Sequence, residues 1–210
     1  MADLTRREKD VQAHETEIID AAEEIFIRKG FAGASIDAIA KAAQFTRRTI
    51  YQYFATKEDL FCAVIYRCYR QFFSYLEVEL TKDASGFDRL YQAGLAFYRF
   101  YLEYPHAVQL INYMGYIKET SKSSPNFREL LELDGAMFCE FAVIVEEGQK
   151  DLSIRSDLNA METACSLAFI LTGFFYELSA SGKSFTRNLH LNEESFVTNA
   201  LQLIFRAIKA

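Results

Sequence analysis

Apolar residues recur along this chain at spacings of three and four, and no segment keeps up a two-residue alternation. The first spacing marks one face of an α-helix, the second a half-buried strand. The pattern therefore predicts an all-α protein. Ile18, Ile19, Ala22, Ile25 and Phe26 set a first helix from about Glu15 to Lys29, with Gly30 as its stop. Ile36, Ile39, Ala40 and Ala43 mark a short second helix, and Ile50 with Phe54 a third. A long fourth helix is expected from Lys57 towards Lys82. The stretch Phe87–Tyr104 is apolar on nearly every side, which places it at the centre of a bundle. Pro105 ends that helix or opens another, which runs past Met114; Lys118–Ser124 then reads as a polar loop. Ser124-Pro125 caps a helix carrying Leu130, Leu133, Met137, Phe138, Phe141 and Ile144, expected to stop near Gly148. Two last helices are expected near 159–180 and 193–209.

The segment Ser35–Leu60 adds capping chemistry to this pattern. Ser35 can cap the second helix and Thr46 the third, each by accepting an orphan backbone N–H. Thr56 through Asp59 has the form of a capping box for the fourth. Two short helices joined by the tight turn at Gln44-Phe45 are the arrangement that puts a second helix into the major groove of DNA. That helix opens with Thr46, Arg47, Arg48 and Thr49. Arginine can bind guanine through two hydrogen bonds. The hydroxyls of Thr46, Thr49, Tyr51 and Tyr53 suit phosphate oxygens, Gln52 lies beside Arg48, and Lys57 can add a backbone charge contact. Ser35, at the head of the preceding helix, joins this expected DNA-contacting set.

Charge first argues against that reading and then for it. The 210 residues carry a net charge of −6. Between Arg28 and Lys57, however, six cations face a single acid, Asp37, so this window is +5 and the remainder −11. A basic patch on an acidic body orients a protein towards DNA. Arg6, Arg7 and Lys9 lie in a polar stretch, 1–14, expected as a flexible amino-terminal arm.

The run A-x-F-T-R-R-T-I-Y-Q-Y-F-A-T-K-E-D-L at 43–60 resembles the signature of the TetR/AcrR transcriptional regulators. Ala21-Ala22, Phe26, Gly30-Phe31 and Ser35 with Ile39-Ala40 are similar to the same family's first two helices. The sequence departs from the family at Gln44 and at Arg48, where glycines are usual. The resemblance implies an amino-terminal three-helix domain with a helix-turn-helix over 15–60, and a helical ligand-binding and dimerisation domain over 61–210. It implies double-stranded DNA, a small-molecule effector and a second copy of the chain as partners. The function expected is that of a ligand-responsive regulator, a repressor released from a near-palindromic operator by a mainly apolar effector. An effector-free architectural DNA-binding protein and a helical enzyme stand as alternatives.

The carboxy-terminal part offers two further sets of candidates. Tyr91, Phe97, Tyr98, Phe100, Tyr101, Tyr104, Tyr113 and Tyr116 concentrate aromatic surface, and buried tyrosine hydroxyls need partners. Tyr91, Tyr98, Tyr101, Tyr113, Met137 and Phe141 are the candidate effector contacts, because the family's cavity lies among the corresponding helices. Few cations fall there, chiefly Arg99, Lys118 and Arg128, so a highly anionic ligand is disfavoured. The last two helices carry more apolar surface than one monomer readily hides. The resemblance implies that Phe169, Phe174, Val197, Leu201, Ile204 and Phe205 form a four-helix dimer interface.

Other chemistry is not signalled. Cys62, Cys68, Cys139 and Cys165 form no C-x-x-C pair and no histidine is near them, so no metal site, cofactor or disulfide framework is expected. They read as free thiols of a reducing cytoplasm or, in one case, a redox sensor. No nucleophile–base pair or phosphate-cradling glycine loop appears at a sensible spacing, so no catalytic residues are assigned. There is no apolar leader, and the longest apolar stretch, Ala164–Tyr176, falls short of the ~20 residues that span a bilayer. No membrane association is expected, and the location expected is cytoplasmic.

Overall fold

The computed structural model describes residues 5–81, 83–113, 124–181 and 183–210. Their regular structure is helical, with one isolated antiparallel bridge between Ile154 and Lys209. The chain divides into two compact units, Met1–Arg67 with Met114–Leu131, and Cys68–Tyr113 with Glu132–Ala210. The sequence boundary at 60/61 therefore moves to 67/68. The first turns of the fourth helix and the start of the seventh both belong to the amino-terminal unit.

In the amino-terminal unit, α1 spans Arg6–Gly33, α2 Ile36–Ala42, α3 Arg47–Tyr53, and α4 begins at Lys57 and ends at Glu79. The expected flexible arm is helical from Arg6, because Thr5 and Glu8 form a capping box. The Glu8 N–H donates to Thr5 Oγ1 at 3.3 Å and the Thr5 N–H to Glu8 Oε2 at 2.8 Å. Gly30 breaks α1 as expected, with φ of 66° and ψ of 168°. Ile18, Ala22, Ile25 and Phe26 turn inward and meet Ile39, Ile50, Phe54 and Phe61, all buried. Phe61 lies with its ring centroid 4.8 Å from those of both Phe26 and Phe31. Burying side chains of this size stabilises by about 1.5–3 kcal/mol each.

In the carboxy-terminal unit, α5 spans Gly86–Glu103, α6 Pro105–Ile111, α7 Pro125–Lys150, α8 Ala160–Ser181, α9 Ser184–Asn188 and α10 Glu193–Arg206. Residues 125–131 of α7 belong to the other unit. α5 packs against α6, α8 and α10. Leu90, Ala96, Phe97, Phe100 and Tyr101 are buried, and Phe97 lies 4.8 Å from both Phe72 and Phe175. Its centrality is incomplete, since Arg99, Leu102 and Glu103 are exposed. α6 ends at Ile111, short of Met114; Met114, Tyr116, Lys118 and the expected loop up to Ser123 lie outside the described residues. α7 ends at Lys150, close to the expected stop near Gly148, which is buried at a close approach to the backbone of Gly86.

At 22 residues and a mean hydropathy of 1.3, α8 is long and apolar enough to cross a membrane, contrary to the estimate from Ala164–Tyr176 alone. Here Leu167, Leu171, Phe175 and Leu178 turn into the unit's core, while Phe169 and Ile170 of the same helix stay exposed.

Candidate nucleic-acid interface and ligand cavity

Three caps set the helix-turn-helix. Ser35 Oγ accepts the Ala38 N–H at 3.2 Å and Thr46 Oγ1 accepts the Thr49 N–H at 3.1 Å. The Thr46 and Thr49 hydroxyls also share a hydrogen bond of 2.8 Å. Thr56 Oγ1 takes the Asp59 N–H at 3.0 Å, while buried Asp59 accepts from the Ala55 N–H at 3.0 Å and from Asn126 Nδ2 at 2.9 Å. The turn between α2 and α3 keeps a glycine-like backbone despite its side chain, with Gln44 at φ of 57°. A left-handed conformation costs a non-glycine residue roughly 1–2 kcal/mol. Phe45 N–H closes the turn on the Ala40 carbonyl at 2.9 Å.

The first turn of α3 presents its cations unequally. Arg47 is 59% exposed, pairs with Asp37 at 3.3 Å and lies 5.6 Å over the Tyr51 ring. Arg48 is exposed and has no ion pair among the described residues. Gln52 and Tyr51 are also exposed, whereas Thr49 and Tyr53 are half-buried. The Tyr53 hydroxyl is hydrogen-bonded to His14 Nδ1 at 3.1 Å, and His14 stands edge-on to Phe45 at 5.1 Å. No local pattern signalled that α1 reaches α3 through a histidine.

Lys57 departs from its expected role. Its ammonium donates to the Phe31 and Ala34 carbonyls at 2.9 and 3.1 Å and lies 4.3 Å from the Phe31 ring centroid. The break at Gly30 leaves carbonyls at the end of α1 without helical N–H partners, and Lys57 satisfies two of them. It braces the domain at this point.

Within the carboxy-terminal unit a cavity of about 50 Å³ lies among α4, α5, α7, α8 and α10. Of the candidate effector contacts, Met137 and Phe141 line it. Tyr91, Tyr98, Tyr101 and Tyr113 do not. Tyr91 packs edge-on to Phe205 at 5.5 Å, and Tyr98 and Tyr101 stack on Phe175. The Tyr101 hydroxyl reaches Glu193 at 3.5 Å, and burial with that carboxylate pushes its pKa up to about 12. The remaining wall includes Phe72, Phe97, Ala164, Ala168 and Thr172. The alanines at i and i+4 on α8 were the available signal for a cleft, masked by the surrounding tyrosines.

The expected dimer set also divides. Val197, Leu201 and Phe205 are buried, at 0%, 0% and 1% exposure, and close the unit's own core against α5. Gly94 makes room for them, since a Cβ there would stand 2.9 Å from the Phe205 ring. Phe174 and Ile204 are half-buried, Phe174 against Phe196 at 5.7 Å. Phe169 stays open at 75%, with Ile170 at 50% and Leu203 at 61%, two residues outside the expected set.

The family described as bacterial regulatory proteins, tetR family, matches residues 18–64, the stretch that holds the three caps and the exposed arginines. Over this stretch the chain is similar to the TetR family. NicS of Pseudomonas putida, an HTH-type transcriptional repressor, is 29% identical over 143 residues, 67% of this chain and 66% of its own length. The chain thus matches just under two thirds of that relative. The structure of KstR2 of Mycobacterium tuberculosis, a ketosteroid transcriptional regulator, superposes with a TM-score of 0.69 at 16% identity, over 93% of this chain and 95% of that one. FadR of Bacillus subtilis, solved in complex with stearoyl-CoA, superposes at 0.67 and 18% identity, over 90% and 97%. At these identities the structures show a shared fold. These TetR-type relatives are transcriptional regulators, not enzymes. TetR-family regulators bind DNA and small-molecule effectors and work as dimers.

Proposed function

We propose that this chain is a dimeric, ligand-responsive transcriptional repressor. The observation that carries the reading is the first turn of α3, where a capped helix presents exposed Arg48 beside a braced Arg47 and an exposed Gln52. Thr46, Thr49 and Tyr51 are placed for phosphate oxygens, with Ser35 at the head of the preceding helix. The exposed apolar side chains of Phe169, Ile170 and Leu203 support a two-fold interface, and a symmetric dimer reads a near-palindromic operator. Ligand in the inner cavity acts through its differential affinity for the DNA-competent and DNA-released states.

A second reading, an effector-free DNA-binding protein, has the small cavity in its favour. Recovery of genomic fragments bound by the full chain, followed by competition with random DNA and a small-molecule screen for release, separates the two. A tight palindromic site released by a ligand supports the repressor. Weak sequence preference with no releasing ligand supports the alternative.

A further inference from the structure

The cavity has a neighbour on the other side of one wall. An outer groove of about 400 Å³ lies among α4, α5 and α7, and Met137 and Phe141 line both spaces. The two compartments differ in chemistry. Among the described lining residues of the inner one, the sole hydroxyl, Thr172 Oγ1, already donates to the Ala168 carbonyl at 2.7 Å, so no donor is left there for a carboxylate. The outer one carries Arg70, Arg89, Glu77 and Glu140. Arg89 pairs with Glu147 through one terminal nitrogen, while its Nε–H is buried with no acceptor among the described residues. Arg70 is exposed and has no ion pair among the described residues.

We infer that the carboxy-terminal unit takes an amphipathic monocarboxylate, its apolar body in the inner cavity and its carboxylate in the outer groove at Arg89 and Arg70. This rests on the reading of the inner cavity as the effector site. A carboxylate oxygen supplies the acceptor that the Arg89 Nε–H lacks, and charged acceptors make the stronger hydrogen bonds. Arg70 supplies a second cation without giving up a partner. Glu77 and Glu140 stand in the same groove, so a head with several negative charges is repelled and a single charge is selected. The passage runs between Met137 and Phe141. Methionine is unbranched and flexible, so its rotation joins the two spaces, and a chain longer than the inner cavity holds runs on through this passage into the groove. The scarcity of cations counted along the sequence overlooked this site, because Arg70 and Arg89 sit on different helices and line one groove only in the fold.

The test uses the full chain and three ligands: octanoate, its uncharged counterpart octanamide, and acetate, which lacks the apolar body. Calorimetry and thermal shift should show octanoate binding at least tenfold tighter than octanamide, with acetate silent. Arg70→Ala, at an exposed position, and Arg89→Lys, which keeps the charge but removes the Nε–H, should each erode that preference. Met137→Trp should block octanoate and octanamide alike. Equal binding of octanoate and octanamide, or a preference unchanged in both arginine variants, overturns the assignment. So does silence from all three ligands. The ligand-responsive reading fails separately, when no molecule of a broad screen releases DNA.

Discussion

The backbones of Gly86 and Gly148 approach so closely that a Cβ on Gly86 would stand 2.4 Å from both Cα and N of Gly148, and 2.7 Å from the Ile144 carbonyl. These are backbone atoms and cannot swing aside. Gly86→Ala should therefore destabilise by about 1–3 kcal/mol, the range for overpacking a filled core. Gly148→Ala should cost less, since its Cβ would meet the movable Ile154 side chain at 2.5 Å. Urea midpoints of the two variants test the order. Equal midpoints, or a Gly86→Ala protein as stable as the parent, would show that the approach is not needed.

Lys57→Ala should weaken folding more than it weakens the ionic part of DNA binding. Loss of hydrogen bonds from a charged donor to the Phe31 and Ala34 carbonyls should cost about 1.5–3 kcal/mol of stability. The slope of log affinity against log salt should stay that of the parent. A slope shallower by about one would instead make Lys57 a phosphate contact.

Arg48→Ala should lose about 1–3 kcal/mol on operator DNA and relax preference at one position in each half-site. Arg47→Ala should lose less, because part of its charge is already engaged by Asp37. Asp37→Ala, which frees Arg47, should raise affinity for operator and random DNA alike. Binding titrations on the two DNAs decide the matter; equal losses for Arg48→Ala on both would reduce it to a phosphate contact.

Charges placed on the last helices should have opposite outcomes. Phe169→Asp and Leu203→Asp sit on open surface and should give folded monomers. Phe205→Asp buries an unpaired charge at 1% exposure and should give misfolded protein. Light scattering with circular dichroism reads both. A Phe169→Asp, Leu203→Asp double variant that remains dimeric would move the interface elsewhere.

Cys62 should make the amino-terminal unit alkali-sensitive. Burial first, then Asp59 and Glu58, raise its thiol from 9.0 to about 12. Between those values the folded state holds a proton that the unfolded state has lost, so the contribution is full below pH 9.0 and disappears as pH rises through about 12. The urea midpoint should fall over that window, and less steeply in Cys62→Ala. Thiol labelling of the native protein should reach exposed Cys139 first and buried Cys62 and Cys68 only on unfolding. Rapid labelling of Cys62 would contradict its burial.

The amino-terminal domain was largely legible in the chain. Ser35, Thr46 and Thr56 each stand one residue ahead of a helix, and capping is a local interaction between near neighbours. The inward faces of α1 to α3 follow the same way from spacing, and the arginines at the head of α3 follow from the cap before them. Gln44 adopts the left-handed turn that its place demanded.

What the sequence left open was every question of which apolar surface meets which. Phe169 and Phe205 both lie on apolar helices near the chain's end, yet one is solvent-facing and the other is core, where Gly94 of α5 gives room to Phe205 and Leu201. Lys57 became a strut because Gly30, far back in the chain, breaks α1 and leaves carbonyls to be satisfied. The groove lined by Arg70 and Arg89 exists only where α4, α5 and α7 come together. Periodicity and caps are set within a few residues, so the sequence determined the helices and the DNA-binding motif by itself. Burial depends on the volumes of side chains distant along the chain, and only the tertiary structure decided it.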